Sequence, residues 1–416
     1  MNKTDHIPEE KAALPAGPLS HIRVIDFSRL AAGPYCASLL AGFGADVIKV
    51  EDPQNGDDAR GLAANSDDPQ ARERSPLFLY VNTNKRGVTL DLGVEQGIEV
   101  FRKLVASADV LIEDRTPGEM EAWGLGYEQL KEINPGLVVM SITPFGQTGP
   151  YSTYKAHHVN LFHASGQGYL LPMNSPSRDR APVKGAGFLG EFDAGTSAAI
   201  AVLGAIYWRG AGGTGQHIDA SKQHAVMHLE KSQLRRYVDD GVSPDRTGMG
   251  RLLETLVQGK DGNYVVIILS SQLQWNGLFE AMDRPAWAAE PPFDTQAGRS
   301  ANYLGLRQRL QEWANNYTAE EIFHKVQGCR SACAPVYLAE HFVSSPQVAV
   351  RDFLVEIDHP VVGPLKYPGR PYPFSNEAWR GSRPAPLLGQ HTDEILGNEL
   401  GYSTSELDDL RKLGAI

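Results

Sequence analysis

The sequence predicts a Rossmann-like, doubly wound α/β fold. Two observations carry that prediction: strand-like apolar runs alternate with helix-period segments from Leu19 to about Gly210, and the first unit, His21 to Arg60, reads as strand, small-residue turn, helix and strand. Ile22, Val24 and Ile25 form a buried strand ending at Asp26. Ala31, Ala32, Gly33 and Pro34 then open a helix whose Leu39, Leu40 and Phe43 face a core, and Gly44 stops it before a strand from Ala45 to Val50. Val88 to Leu92 is the next strand, Gly97 to Ala106 an amphipathic helix, and Val110 to Glu113 and Leu137 to Ile142 are short buried strands. Glu191 to Trp208 reads as a long helix rich in small residues, ended by the Gly210 to Gly215 loop. Beyond it the character changes to a charged helix from Ser221 to Asp240, a strand from Asn263 to Ser270, a helical region from Arg307 to Gln327 and a turn at Ala334 and Pro335.

Composition narrows the function classes. With 416 residues, 42% hydrophobic and 21% charged, the chain can build one large core and a smaller second one. A formal net charge of -11 argues against nucleic-acid or anionic-membrane partners. No apolar run reads as a membrane span, and residues 1–18 read as a flexible polar leader on a cytoplasmic protein. Cys36, Cys329 and Cys333 are too few, and odd in number, for a disulfide framework; the C-x3-C pair lacks histidines at zinc spacing, so no metal is expected.

A strand–turn–helix unit leaves free N–H groups beside a strand's carboxyl end, where open α/β sheets take anionic ligands. Neither GxGxxG nor GxxxxGK[ST] follows the first strand. The block instead resembles the opening of the class III coenzyme A transferases (CaiB/BaiF type), the family of formyl-CoA, carnitine and benzylsuccinate CoA-transferases and of α-methylacyl-CoA racemases. Asn82 to Leu92 (NTNKRGVTLDL), Ala108 to Tyr127 (ADVLIEDRTPGEMEAWGLGY), Asn134 to Pro150 (NPGLVVMSITPFGQTGP), Thr214 to Asp219 (TGQHID) and Ala385 to Leu396 (APLLGQHTDEIL) follow in the family's order.

The resemblance implies a discontinuous large domain, residues 19–218 completed by 334–416, with a smaller α+β domain at 219–333. It also implies an obligate, ring-like interlocked dimer, of the chain with itself or with a paralogous subunit, acting on acyl-CoA and a carboxylic acid with coenzyme A as substrate and product. Family chemistry needs one carboxylate nucleophile, an Asp in a GD dipeptide at the head of the small-residue helix. Gly190 and Glu191 stand there. The extra methylene shifts the carboxylate, and a misplacement of about an ångström costs on the order of a hundredfold in rate; a plain reading of Glu191 as an acid suiting a helix N-terminus weighs evenly against catalysis.

His157 and His158 form a second constellation. His157 matches the α-proton base of the racemases, with Glu191 as partner acid; the chain departs from them at His158 and near Ser271. For CoA, Leu30 matches the apolar residue of the CoA turn, Leu90 the residue beside the adenine pocket, Lys155 a basic residue before the active-site segment, and Arg29 adds a cation. Asp52, Gly93 and Ala122 stand where the formyl-CoA enzyme has Arg, Lys and Arg, and its glycine-rich covering stretch is reduced to Thr247, Gly248, Met249 and Gly250. Each charge-assisted hydrogen bond that goes missing removes roughly 1.5 to 3 kcal/mol. Arg29, Lys85, Arg86 and Arg115 either compensate or serve as solvated charges and structural caps. These departures lead to a subunit of a CoA-transferase that moves CoA from a donor such as succinyl-CoA to a free acid, of aromatic-succinate type by analogy with benzylsuccinate CoA-transferase. In that reading the chain is the non-catalytic half of a heteromeric enzyme, as benzylsuccinate CoA-transferase is built from two family subunits. An active homodimer using Glu191 and a 2-methylacyl-CoA racemase using His157 and Glu191 are the alternatives.

Overall fold

A computed structural model describes residues 17–63, 69–172, 180–229, 231–243, 254–376, 379 and 383–416. Of the expected leader, 1–16 lie outside the described residues, as do Thr247, Gly248, Met249 and Gly250. Gly17 is already packed, because a Cβ there would come within 2.3 Å of the Phe43 carbonyl oxygen.

Two compact units divide the chain. The first comprises Met1–Gly168, Lys184–Ser232 and Asp352–Ile416, the second Tyr169–Val183 and Gln233–Arg351. These boundaries differ from the expected 219 and 333 for reasons visible in the pairing. Strand β6 (Gln216–Ser221) and the helix after it belong to the first sheet, and Ala332–Pro335, expected as a turn, is a strand of the second unit.

In the first unit, β1 (Arg23–Phe27), β2 (Asp46–Glu51), β3 (Arg86–Thr89), β4 (Val110–Glu113), β5 (Val138–Thr143) and β6 form one parallel sheet in the order β3-β2-β1-β4-β5-β6. Chain direction across the sheet reverses between β1 and β4, which opens a crevice at their carboxyl ends. The strands are apolar on both faces, and their period of two sorts the side chains into two cores. Ile25, Ile48, Val88, Leu111 and Val139 meet Val100, Phe101 and Leu104 of α3 (Glu95–Ala106). Val24, Val47, Val110 and Val138 meet the opposite layer, α1 (Ala32–Gly42) and α7 (Leu189–Gly210). Between them in sequence lie α2 (Pro76–Val81), α4 (Glu119–Ala122), α5 (Tyr127–Ile133) and α6 (His158–Ala164); α8 (Lys222–Leu229) follows β6.

Helix α7 is long and apolar enough to cross a membrane by length and composition alone. Its composition has a packing reason instead. Ala194, Ala198, Ala199, Val202 and Ala205 are buried against α1, and a Cβ on Gly195 would fall 2.5 Å from the Ala32 carbonyl oxygen. Cys36 of α1 lies fully buried in this layer.

The second unit carries an antiparallel sheet, β7 (Glu254–Gln258), β8 (Tyr264–Ile268) and β9 (Ala332–Pro335), with helices at Gln272–Ala281, Tyr303–Ala314 and Ala319–Gly328. Val265, Ile267, Leu278, Leu310 and Ile322 form its core. In the returning segment, β10 (Leu354–His359) and β11 (Gly363–Pro368) make a hairpin that packs Ile357 and Tyr367 on Phe78 and Leu79 of α2.

Candidate active site

The turn between β1 and α1 is held from beneath by buried charges. Lys85 Nζ donates to Asp26 Oδ2 at 2.7 Å, to the Pro34 carbonyl at 2.8 Å and to Asn82 Oδ1 at 2.8 Å. Lys49 pairs with Asp57 at 2.7 Å, lies 3.9 Å from Asp26 and donates to the Ser28 carbonyl. Asp57 Oδ1 in turn accepts the Leu30 N–H at 2.9 Å, fixing Leu30 at a φ of 64°, a left-handed conformation an apolar side chain rarely adopts. Burial would raise the Asp26 and Asp57 pKa values, but the facing lysines outweigh it and hold both carboxyls below their ordinary value. Lys49, with Asp26 and Asp57 overcoming its burial, is raised. Burial wins at Lys85, which falls to about 8.

Two adjoining clefts open on this turn. One, of about 310 Å³, lies at the carboxyl ends of β1, β2 and β3 and is walled by Phe27, Glu51, Asp52, Leu90, Gly93 and Trp123. The other, of about 420 Å³, is walled by Leu30, Pro144, Tyr154, Lys155, His157 and Lys222. Arg29, Asp58, Arg115 and Glu119 line both, so they form one groove.

Glu191 sits in the first turn of α7, 2% exposed, and its Oε2 accepts the Lys222 ammonium at 2.8 Å. The close approach of Gly195 to Ala32 sets this position: Gly195 is one turn along the same helix face, so α7 lies against the start of α1 with Glu191 toward the turn. Lys222, the first residue of α8, follows β6 directly, so the sheet itself fixes its Cα.

The predicted residues separate into groups. Leu30, Leu90, Lys155, His157 and Arg29 all line the groove. His157 is the exposed N-cap of α6, its N–H donating to Asn160 Oδ1 at 3.0 Å. His158 packs its ring 4.7 Å from that of Phe188, and burial, aided by Lys184, depresses its pKa against the opposing charge of Glu191. Glu191 is thus among the charges that act on His158. Among the cations expected to stand in for the family's missing CoA ligands, Lys85 is the buried pillar just described and Arg86 is bound by Asp46 at 2.7 Å and by Glu394 and Glu399. Both are structural. Arg29 reaches the groove while 3.5 Å from Asp114 and 4.0 Å from Asp58, and Arg115 lies 4.1 Å over the Phe27 ring. Asp52 lines the groove too, with Oδ1 accepting the Gln54 and Asn55 N–H groups, and Gly93 lies opposite without a side chain. Ala122 ends α4.

Sequence reasoning missed Lys222 and Lys49. A lysine closing a TGQHIDAS strand has no periodicity to mark it, and Lys49 sits inside an apolar strand whose partners are distant in the chain.

A doubly wound sheet with a groove at the β1/β4 reversal and a carboxylate at the head of a small-residue helix is the frame of an α/β ligand-binding protein. The family model for CoA-transferase family III matches residues 19–392, and the chain belongs to that family. It is similar to the formyl-CoA:oxalate CoA-transferase of Afipia carboxidovorans, 30% identical over 422 residues covering 96% of this chain and 97% of that protein. The succinyl-CoA–L-malate CoA-transferase beta subunit of Chloroflexus aurantiacus is 33% identical over 402 residues, covering 95% and 97%. Among solved structures, a CaiB/BaiF family protein from Brucella suis superimposes with a TM-score of 0.81 at 29% identity, covering 92% of this chain and 99% of that one.

Proposed function

We propose that this chain is a subunit of an acyl-CoA:carboxylate CoA-transferase that moves CoA from a donor such as succinyl-CoA to a small carboxylic acid, with Glu191 as the carrier carboxylate. The observation that carries this reading is the pairing of Glu191 with Lys222, a residue that also walls the groove beside the β1–α1 turn. The transferases of oxalate, malate and citramalate among its relatives support a small, polar acid; aromatic succinates are the bulkier end of the same class.

The chemistry follows family logic. A Glu191 oxygen attacks the thioester carbon of the acyl-CoA, and CoA leaves as thiolate, giving a mixed anhydride. The thiolate attacks the glutamyl carbonyl, releasing the first acid and forming a glutamyl-CoA thioester. The second acid attacks that carbonyl, CoA leaves again, and its return to the new acyl group regenerates Glu191. The family's interlocked dimer and a cytoplasmic location belong to this proposal.

A second reading, the non-catalytic half of a heteromeric enzyme, is favoured by Asp52 and Asp91 on the groove wall and by the likeness to a beta subunit. One experiment separates them. The purified chain, given succinyl-CoA and hydroxylamine, should acquire a hydroxamate at Glu191 by mass spectrometry. CoA exchange without that label removes Glu191 as carrier; a chain that is inert alone but active when co-expressed with a family paralogue, with the hydroxamate forming on the paralogue and not on Glu191, establishes the scaffold role.

A further inference from the structure

We infer that Lys222 serves two carboxylates in turn: it holds Glu191 in the resting enzyme and, once Glu191 is acylated, becomes the binding site for the incoming acid. This rests on Glu191 being the carrier. Charge balance is the reason. Lys222 is 8% exposed and its ammonium meets Glu191 Oε2 at 2.8 Å. Conversion of Glu191 to an anhydride or thioester removes its negative charge, while the ammonium stays where it was. A buried cation that loses its counter-charge is strongly unfavourable, so the site then demands another anion. The other cations lining that cleft are differently placed. Arg29 faces Asp114 and Asp58, Arg115 lies over the Phe27 ring 3.9 Å from Asp114, and Lys155 is exposed on the rim. Because Lys222 is within hydrogen-bond reach of the 191 carboxyl group, an acid taken there stands next to the carbonyl it must attack. The attacking carboxylate forms the new C–O bond, the C–S bond breaks, and CoA departs with the electron pair as thiolate. The empty ammonium thus selects the acid only at the stage when it is needed, and a free acid competes poorly for the resting enzyme.

Glu191→Gln imitates the neutral, acylated side chain without covalent chemistry. Titration calorimetry with succinate should show Glu191→Gln binding at least about tenfold more tightly than the wild type, the worth of one charge-assisted hydrogen bond. Glu191→Gln/Lys222→Met should lose that gain, and Glu191→Gln/Lys222→Arg should keep it, which guards against a Met variant that does not fold. Equal succinate affinity in Glu191→Gln and wild type overturns the inference, as does a gain that survives Lys222→Met in a folded protein. The hydroxylamine label on the wild type reports the carrier role separately, so a failure there is distinguishable from a failure of the titration.

Discussion

At the scale of single residues, the four buried charges under the β1–α1 turn behave as one object. Asp26 touches Lys85 and lies near Lys49, and Lys49 passes the interaction on to Asp57 and thence to the Leu30 N–H. Removing one member leaves an uncompensated charge, so Lys85→Met should destabilise the fold by about 3–5 kcal/mol. Chemical denaturation measures it, and pairing Lys85→Met with Asp26→Asn should return a substantial part of the loss. The pKa of Lys85 also has a signed consequence. At about 8 in the fold against an ordinary 10.5, the unfolded chain binds more protons between those values, so this group makes stability rise with pH across that window. Glu113 acts oppositely. Burial lifts it from 4.5 to about 7 against the hydrogen bonds from Ser141 and the Arg115 N–H, so the native state binds the extra proton and stability falls as pH rises from 4.5 to 7. Glu113→Gln should abolish that slope, read as denaturation midpoints at pH 5 and 8; an unchanged slope would clear Glu113 of the effect.

At the scale of elements, the packing of α7 on α1 sets the position of the 191 carboxylate. Gly195→Ala gains roughly 0.5–1 kcal/mol of helix propensity. Against that, the new Cβ would stand 2.5 Å from a backbone carbonyl, which must move, and such overpacking costs typically 1–3 kcal/mol. The clash wins, so Gly195→Ala should lower Tm. A shift of α7 by even an ångström should also lower kcat on the order of a hundredfold, so that kcat falls far more than stability. Much of this layer is legible in the sequence. Alternating apolar runs give five of the six strands of this sheet within a few residues of those found, all but β6, and the GE dipeptide before a run of small residues marks the head of α7. What stays hidden is pairing at long range. Lys85 and Arg86 look like free cations in NTNKRG, yet their partners lie up to 313 residues away, at Glu399, and no local pattern encodes that. Lys222 is hidden for the same reason, 31 residues from Glu191. The Ala334–Pro335 segment reads as a turn from its proline, but an edge strand tolerates proline at its end, as β9 does against β8.

At the scale of the molecule, the two clefts and the carboxylate all belong to the first unit, assembled from the N-terminal segment and from Lys184–Ser232, with the C-terminal segment closing one core. Lys222 follows β6 directly, and β6 lies at the sheet's edge beyond β5, so the cation is anchored to an edge strand and not to the central β1. Cys36 offers a way to watch the interior. Desolvation drives its thiol well above the ordinary range, and burial in the helix layer beneath the turn shields it from reagents. An alkylating probe therefore reaches it only when α1 parts from α7. The labelling rate becomes a clock for breathing of the α1–α7 layer, and saturating acyl-CoA should slow it if occupancy clamps the two helices together.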